Sequence, residues 1–303
     1  MKLFSLFVLF LPSVASDYIA GVANHDVFFG AEDDQAAYLT DMNLQMYENL
    51  TTVASKQGAQ VLVFPEFGLE PIRNANRTDL YAYAETVPAV SGTGVIPCNE
   101  ADDFANRPIL LRMSCVAQKQ SILVLINMID YQPCAPSADP NCPEDERYLF
   151  NTDVMFDESG AIVAKYHKTH VWLSNLDKYD QPITTEYVTY QSPTIGVEFG
   201  LFICFDIVFP DPAKVLVDRG VRHFLYAVQQ AYLGDATLMP FWSLNNNAAL
   251  LASNIATGGK DGTKEDYSRV FVQGEAVRGR KYALDSDAFS DENVLIVTVP
   301  TDF

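Results

Sequence analysis

Three side chains of the sequence combine the chemistry needed for covalent acyl transfer: a carboxylate, an ammonium and a thiol. They are Glu66, Lys168 and Cys204, and each follows or ends an apolar run typical of a buried strand. In open α/β sheets, active sites gather at the carboxyl ends of strands, so we expect the three to meet. There the carboxylate would accept the thiol proton, the thiolate would attack a carbonyl carbon, and the ammonium would stabilise the oxyanion.

Each of these residues also has an ordinary structural explanation when it is taken alone. A single cysteine in an apolar run is commonly an inert buried thiol, whereas a glutamate or lysine beyond a strand is commonly solvated. His167 and His170 flank Lys168 and suggest a Cys–His dyad as an alternative. Nothing in the sequence brings either histidine near Cys204, so the set of carboxylate, ammonium and thiol is the favoured interpretation.

The elements that must position these residues alternate between apolar runs and segments of helical spacing. Helical spacing predicts four helices, at residues 35–57, 109–119, 211–219 and 241–249. Apolar runs predict strands at residues 18–23, 61–64, 121–127, 151–156, 162–166, 200–204, 224–228 and 294–299. The alternation predicts an α/β layered fold in which helices cover a mostly buried sheet.

Composition excludes several classes of partner. Hydrophobic residues make up 49% of the 303 residues, which is enough for a sizeable buried core. The net charge of −19 disfavours binding to nucleic acid or to an anionic membrane, since both require clustered lysine and arginine. The four histidines are scattered and the cysteine spacings fit no zinc pattern, so no metal is expected. No cofactor is expected either, because the thiol would carry the covalent chemistry.

The amino terminus has the features of a secretory signal. Lys2 provides the positive charge, residues 3–11 are apolar, and small residues at positions 14–16 suit cleavage. The apolar run is about half of the ~20 residues that a membrane span needs. We therefore predict a signal peptide at residues 1–16 and a secreted mature chain from Asp17. No anchor signal follows the last predicted strand, so no membrane anchor is expected.

Secretion gives meaning to the cysteines. Cys98, Cys115, Cys134 and Cys142 are clustered, whereas Cys204 stands apart. Four cysteines in an oxidising compartment predict two disulfides, with three possible pairings. We favour Cys134–Cys142, which closes a short proline-rich loop, and hence Cys98–Cys115. Cys204 is then the retained thiol.

Secretion also makes two tripeptides candidates for N-glycosylation. The acceptor residues are Asn49 and Asn76, each followed by a threonine two positions later and by no intervening proline. Such tripeptides are short and common, so the prediction rests on the signal peptide. We expect the mature chain to be a glycoprotein.

The segments around the three reactive residues resemble a known superfamily. Val-Phe-Pro-Glu at 63–66, Tyr-His-Lys at 166–168 and Phe-Ile-Cys-Phe-Asp at 202–206 are similar to the Glu, Lys and Cys motifs of the nitrilase (carbon–nitrogen hydrolase) superfamily. The resemblance is closer still to its secreted branch, the vanins (pantetheinases) and biotinidase, and extends over residues 18–255. It implies an α-β-β-α sandwich with Cys204 as nucleophile, Glu66 as general base and Lys168 as oxyanion stabiliser.

The same resemblance implies a reaction. The sulfur would attack a secondary amide, with the oxyanion held by Lys168 and the backbone N–H of Phe205. The amine would leave with a proton from Glu66, and water activated by Glu66 would then hydrolyse the thioester. Pantetheine, giving pantothenate and cysteamine, is the first expected substrate, and biocytin or another biotinyl amide is the second.

Some positions depart from the pattern of the family. Phe67 stands where the secreted branch has an acidic residue, Asn247 stands where relatives carry an arginine, and residues 229–239 look unlike the corresponding segment. These departures motivate an alternative, a catalytically silent secreted binding protein on the same scaffold.

Two further expectations come from the resemblance. Many members have a second active-site glutamate between the lysine and the cysteine, for which Glu186 is favoured over Glu198. Vanins and biotinidase continue into a second, β-rich domain. Because this chain stops near the expected end of the nitrilase-like domain, we assign residues 17–303 to that domain and expect the second one to be absent.

Overall fold

Two packed sheets with helices on both outer surfaces form an α-β-β-α sandwich. The predicted fold class is thereby confirmed. The predicted signal peptide at residues 1–16 and most of segment 229–239 lie outside the described residues. The computed structural model describes residues 17–25, 27, 36–70, 75–90, 92, 94–229, 237–255, 257–258, 264–265, 268–284 and 293–303.

The first sheet contains seven strands within the described ranges. They are β1 (Tyr18–Asn24), β2 (Val61–Val63), β3 (Leu123–Pro133), β4 (Arg147–Phe156), β5 (Ile162–His167), β14 (Arg280–Ala283) and β15 (Asn293–Val299). Their order in space is β14-β15-β1-β2-β3-β4-β5. Strands β1, β2 and β3 are parallel, β4 is antiparallel to β3, and β5 is antiparallel to β4. Strands β2 and β5 therefore end at the same edge.

The second sheet has three parallel strands at its centre. Within the described residues its members are β6 (Thr189–Gln191), β7 (Glu198–Ile203), β8 (His223–Val228), β9 (Ala249–Asn254), β12 (Arg269–Val272) and β13 (Glu275–Ala276). Their order is β13-β12-β9-β8-β7-β6, and β7, β8 and β9 are parallel. A separate two-stranded ribbon pairs β10 (Thr257–Gly258) with β11 (Lys264–Glu265).

Helices cover the outer face of each sheet. The first sheet packs against Leu44 and Tyr47 of one helix and Met113 of another, and the second packs against Trp242, whose ring lies 5.1 Å from that of Phe202. Strands covered on both faces have no solvated side, which explains why β2 is apolar throughout. None of the described helices is both long and apolar enough to cross a membrane. The helices are α1 (Ala36–Lys56), α2 (Arg77–Tyr81), α3 (Pro108–Gln120), α4 (Val215–Asp218) and α5 (Leu238–Asn245).

Two predicted helices are shorter in the structure. The predicted helix 241–249 was wrong at its end, since α5 stops at Asn245 and Ala249 begins β9. Asn247 has a left-handed backbone with φ 48°, which ends a helix. The predicted helix 211–219 is a regular α-helix only over Val215–Asp218, because Asp211 precedes Pro212 and has extended backbone with φ −104° and ψ 143°.

Two disulfides fasten loops beside the first sheet. Cys98 is bonded to Cys115 of α3, and Cys134 is bonded to Cys142 in the connection between β3 and β4. This is the pairing that the sequence favoured. Cys204 is a free, buried thiol.

Both candidate glycosylation residues face solvent. Asn49 lies on the exposed side of α1. Asn76 caps α2, and its Oδ1 accepts hydrogen bonds from the backbone N–H groups of Thr78 and Asp79 at 2.8 and 3.0 Å. A glycan on Nδ2 would leave this cap intact, because the cap uses the amide oxygen. Glycosylation itself stays a prediction.

Candidate active site

The three reactive side chains lie together at one edge of the sandwich. Glu66 follows β2 by three residues, Lys168 directly follows β5, and Cys204 directly follows β7. Strands β2 and β5 end at the same edge of the first sheet, and β7 of the second sheet brings Cys204 to them, so residues far apart in sequence meet there. The exposed fractions are 1% for Glu66, 2% for Lys168 and 9% for Cys204, so bulk water is largely excluded from the cluster.

The Glu66 carboxylate lies at the centre of this cluster. Its Oε1 accepts hydrogen bonds from Lys168 Nζ at 2.5 Å and from Asn151 Nδ2 at 2.8 Å. Its Oε2 accepts the backbone N–H of Gln229 at 3.1 Å, and the Cys204 thiol, which donates to the Gln229 carbonyl at 3.8 Å, lies near enough for the charge of Glu66 to act on it. One carboxylate therefore lies beside both the ammonium and the thiol, as a base beside a nucleophile must.

Cys204 occupies a strained turn at the end of β7. Its backbone is left-handed, with φ 45°, and it begins a short 3₁₀ helix, Cys204–Val208. Asp206 holds the turn, because its Oδ2 accepts the backbone N–H of Ile203 at 3.0 Å. The hydroxyl of Tyr226 donates to the Cys204 carbonyl at 2.8 Å. Such strain at a non-glycine residue persists only where surrounding contacts fix it, and it is common at functional sites.

The electrostatics of the cluster keep the proton on sulfur at rest. Burial and the charge of Glu66 raise the pKa of Cys204, and Lys168 opposes them without prevailing. Burial alone would lower the pKa of Lys168, but the neighbouring charge of Glu66 outweighs burial and raises it. Lys168 is therefore a permanent cation, and Cys204 needs Glu66 to accept its proton when it attacks.

A layer of buried amides supports the base. The Asn127 Nδ2 group donates to Asn151 Oδ1 at 2.7 Å and to Asp153 Oδ1 at 3.0 Å. Asn127 Oδ1 accepts the backbone N–H of Phe67 at 3.0 Å. These contacts fix the orientation of Asn151 and of the loop that carries Glu66. Sequence reasoning missed them, since Asn151 was noted only as part of a strand.

The sequence matches the family model for carbon–nitrogen hydrolase over residues 34–257. That range contains all three members of the cluster. The chain belongs to the carbon–nitrogen hydrolase family.

Relatives within this family include biotinidase from Takifugu rubripes, 36% identical over 268 residues, which is 83% of this chain and 52% of that protein. Pantetheinase from Bos taurus is 37% identical over 249 residues, 78% of this chain and 48% of that protein. The chain thus spans about half the length of the curated relatives it matches.

Solved structures agree on the fold. The amidase from Nesterenkonia sp. superposes with a TM-score of 0.64 at 19% identity, over 95% of this chain and 92% of that one. A mutant of that amidase, with the same TM-score at 18% identity and the same coverage, carries the acetamide moiety of fluoroacetamide on its active-site cysteine. These neighbours share the carbon–nitrogen hydrolase sandwich.

The structure places the other residues that the family resemblance singled out. Phe205 is in the first turn of the 3₁₀ helix after Cys204, where backbone N–H groups have no intrahelical partner. Glu186 lies against His167, accepting its backbone N–H and its Nδ1, each at 2.9 Å. Both oxygens of Glu186 are thus engaged by His167 rather than by Glu66, and its assignment as the second active-site carboxylate stays a prediction.

The departures from the family pattern have different surroundings. Phe67 follows the base, has φ 58° and is buried, with its ring 5.6 Å from that of Tyr179. Asn247 is exposed beyond α5 and accepts a hydrogen bond from Gln273. Sequence reasoning overlooked Glu70, which is only 2% exposed and whose pKa is raised to about 8 by burial and by the charge of Glu66.

Proposed function

We propose that the protein is an amidase that cleaves linear secondary amides through a thioester on Cys204. The observation that carries this proposal is the buried Glu66 carboxylate, which lies beside both the Lys168 ammonium and the Cys204 thiol. Membership of the carbon–nitrogen hydrolase family supports it, as do relatives named pantetheinase and biotinidase.

The reaction begins with transfer of the Cys204 proton to Glu66 while the sulfur attacks the amide carbon. Lys168 and the backbone N–H of Phe205 stabilise the oxyanion. The C–N bond then breaks, and its electron pair leaves with the nitrogen, which takes the proton from Glu66. Water gives a proton to Glu66 as it attacks the thioester, the C–S bond then breaks, and Glu66 returns that proton to the departing sulfur, which restores the Cys204 thiol and the Glu66 carboxylate.

The substrate is proposed to be a small amide with an amine leaving group. Pantetheine, giving pantothenate and cysteamine, is the first candidate, and biocytin or another biotinyl amide is the second. We also propose that the protein is secreted. Its two disulfides support an oxidising compartment, and the sequence of residues 1–16 supports a signal peptide.

The test is incubation of the purified protein with pantetheine and with biocytin, followed by quantification of free amine and free acid. We expect equal amounts of both products from at least one substrate, and a covalent adduct on Cys204 by mass spectrometry. The exposed-site variant Glu100→Gln should behave as the wild type. A folded wild-type protein that releases no amine from a panel of secondary amides would instead be a silent binding protein.

A further inference from the structure

Two polar groups beside the proposed base are buried without a hydrogen-bond partner. Glu70 Oε1 and the Tyr179 hydroxyl find none among the residues that the structure describes, and each residue is only 2% exposed. A buried polar atom left unpaired costs about 1–3 kcal/mol, so such atoms in a native structure call for an explanation. Neither group has a part in the reaction described above.

The position of these groups relates them to the reacting residues. The charge of Glu66 acts on both Glu70 and Tyr179, and that of Glu70 acts on Tyr179, which places the three groups in one neighbourhood. The Tyr179 ring stacks on Phe67, and the Phe67 ring lies 5.9 Å from Lys168 Nζ. The unpaired atoms therefore lie on the Phe67 side of the catalytic cluster.

We propose that Glu70 and Tyr179 form a subsite that binds the primary amine released from the substrate. This inference rests on the proposed amidase function and extends it to the leaving group. An amine has N–H donors, and the unpaired carboxyl and hydroxyl oxygens are acceptors. Aliphatic amines that are charged at neutral pH would gain most, since hydrogen bonds between ionised groups are about twice as strong as neutral ones.

The acidity of Glu70 suits this role. Burial, together with the charge of Glu66, raises its pKa to about 8, so at neutral pH the free enzyme holds a neutral carboxyl there. A primary amine has a pKa of about 10.4 and outcompetes the carboxylate for a proton. When the neutral amine leaves, the Glu70 O–H bond breaks and an N–H bond forms, giving an ammonium–carboxylate pair. Glu70 regains a proton from water after the ammonium departs.

The reverse reaction provides the test. An added ammonium binds the subsite as Glu70 releases its own proton to water, and it then gives its extra proton to Glu70. The resulting neutral amine attacks the thioester, so a C–N bond forms and the C–S bond breaks, while the proton lost by the nitrogen passes through Glu66 to the departing sulfur. The experiment uses whichever of pantetheine or biocytin is turned over, adds increasing ethylamine, and measures the ratio of N-ethyl amide to free acid. Both products arise from the same acyl-enzyme. Their ratio therefore does not depend on how much of a variant is folded.

We expect the wild-type ratio to saturate with ethylamine. Glu70→Gln should raise the half-saturating ethylamine concentration about tenfold or more, and Tyr179→Phe roughly threefold, because each removes one hydrogen-bonding group. Ethanol, which is neutral, should give little ethyl ester with the wild type or with either variant. The matched controls are Glu100→Gln and Tyr38→Phe, both on exposed residues, and these should leave the ratio unchanged.

The outcomes separate the two proposals. If the wild type releases amine but Glu70→Gln and Tyr179→Phe keep its half-saturating ethylamine concentration, the subsite is refuted and the amidase function stands. If ethanol captures the acyl group as well as ethylamine does, the subsite does not select amines and is also refuted. If the wild type turns over no amide, the proposed function fails and the subsite fails with it.

Discussion

The neighbouring residues His167 and Lys168 enter two different buried charge clusters. Lys168 joins the catalytic cluster with Glu66 and Cys204. His167 joins a second group, here called the Asp130 cluster, which consists of Asp130, Lys165, His167 and Glu186. Each cluster joins carboxylates to cations, yet the two differ in how completely the buried polar atoms around them are paired.

Every carboxylate oxygen of Asp130 is occupied. Its Oδ1 accepts the backbone N–H of Val87 at 2.8 Å, and its Oδ2 accepts Lys165 Nζ at 3.0 Å and His167 Nε2 at 2.9 Å. Burial would lower the pKa of His167, but hydrogen bonds to Asp130 and Glu186 raise it, which favours the imidazolium. The Asp130 cluster is thus a closed network that fixes the end of β5.

Near the catalytic cluster, by contrast, the hydrogen bonding of buried polar atoms is incomplete. Asp153 Oδ2, Glu70 Oε1 and the Tyr179 hydroxyl lack partners within the described residues. Burial also raises the pKa of Asp153 well above its usual range, so its neutral form is favoured. The comparison teaches that buried polar atoms are fully paired around Asp130, whereas unpaired ones remain near the catalytic cluster, where the proposed amine subsite would use them.

The largest expected effect comes from the nucleophile. Cys204→Ala should lower amide turnover at least about 10⁴-fold, since it removes the atom that forms the thioester. Its free energy of unfolding should change by less than about 1 kcal/mol, because only one small buried atom is lost. Steady-state kinetics and urea denaturation measure the two quantities. Turnover above one part in a hundred of the wild type would contradict the proposed role.

The next effect concerns the closed cluster. Asp130→Asn should lower the free energy of unfolding by about 3 kcal/mol, because it removes the buried carboxylate that Lys165 and His167 share and leaves Lys165 without its ion pair. Asp145→Asn is the matched control and should cost at most about 1 kcal/mol, since Asp145 pairs with Arg77 at a partly exposed site. Urea denaturation compares them. If the two variants lose equal free energy of unfolding, the Asp130 cluster contributes no more to stability than a partly exposed ion pair.

The last prediction concerns a change of stability with pH at Glu70, which is small for each pH unit. The ordinary pKa of 4.5 is raised to about 8 in the folded protein, so between these values the unfolded chain loses a proton that the folded chain keeps. Glu70 therefore lowers the free energy of unfolding as pH rises, by at most about 1.4 kcal/mol per pH unit. Glutamine does not titrate. The free energy of unfolding of Glu70→Gln should therefore rise relative to that of the wild type from pH 5 to 8, and the difference should stay constant above pH 9. Thermal melts of both proteins at several pH values measure this difference in stability. A difference that does not change with pH would exclude the raised pKa of Glu70.

The pattern of apolar runs predicted an α/β layered fold, the family resemblance implied the two-sheet sandwich, and the local motifs located the three reactive residues. Apolar runs at β2 and β7 are local patterns, and the motifs around Glu66, Lys168 and Cys204 are local as well. The hydrogen-bond partners of Glu66 are not local in sequence, since Asn151 and Gln229 are 85 and 163 residues away from it. Their contacts depend on how the two sheets pack, which no local pattern encodes.

The end of α5 and the surroundings of Glu186 and Glu70 also depend on packing that no local pattern encodes. The predicted helix to residue 249 failed because apolar spacing alone does not distinguish a helix end from a buried parallel strand such as β9. Glu186 was favoured as an active-site carboxylate by its place in the sequence, yet the fold engages it with His167. Glu70 was overlooked because an unpaired buried oxygen is a property of the packed molecule.

The left-handed backbone of Cys204 has a consequence for what can stand in its place. A side chain in that conformation costs about 1 kcal/mol or more, whereas glycine adopts it freely. Cys204→Gly would therefore remove the sulfur and the backbone strain together, which separates the chemistry of this position from its contribution to folding.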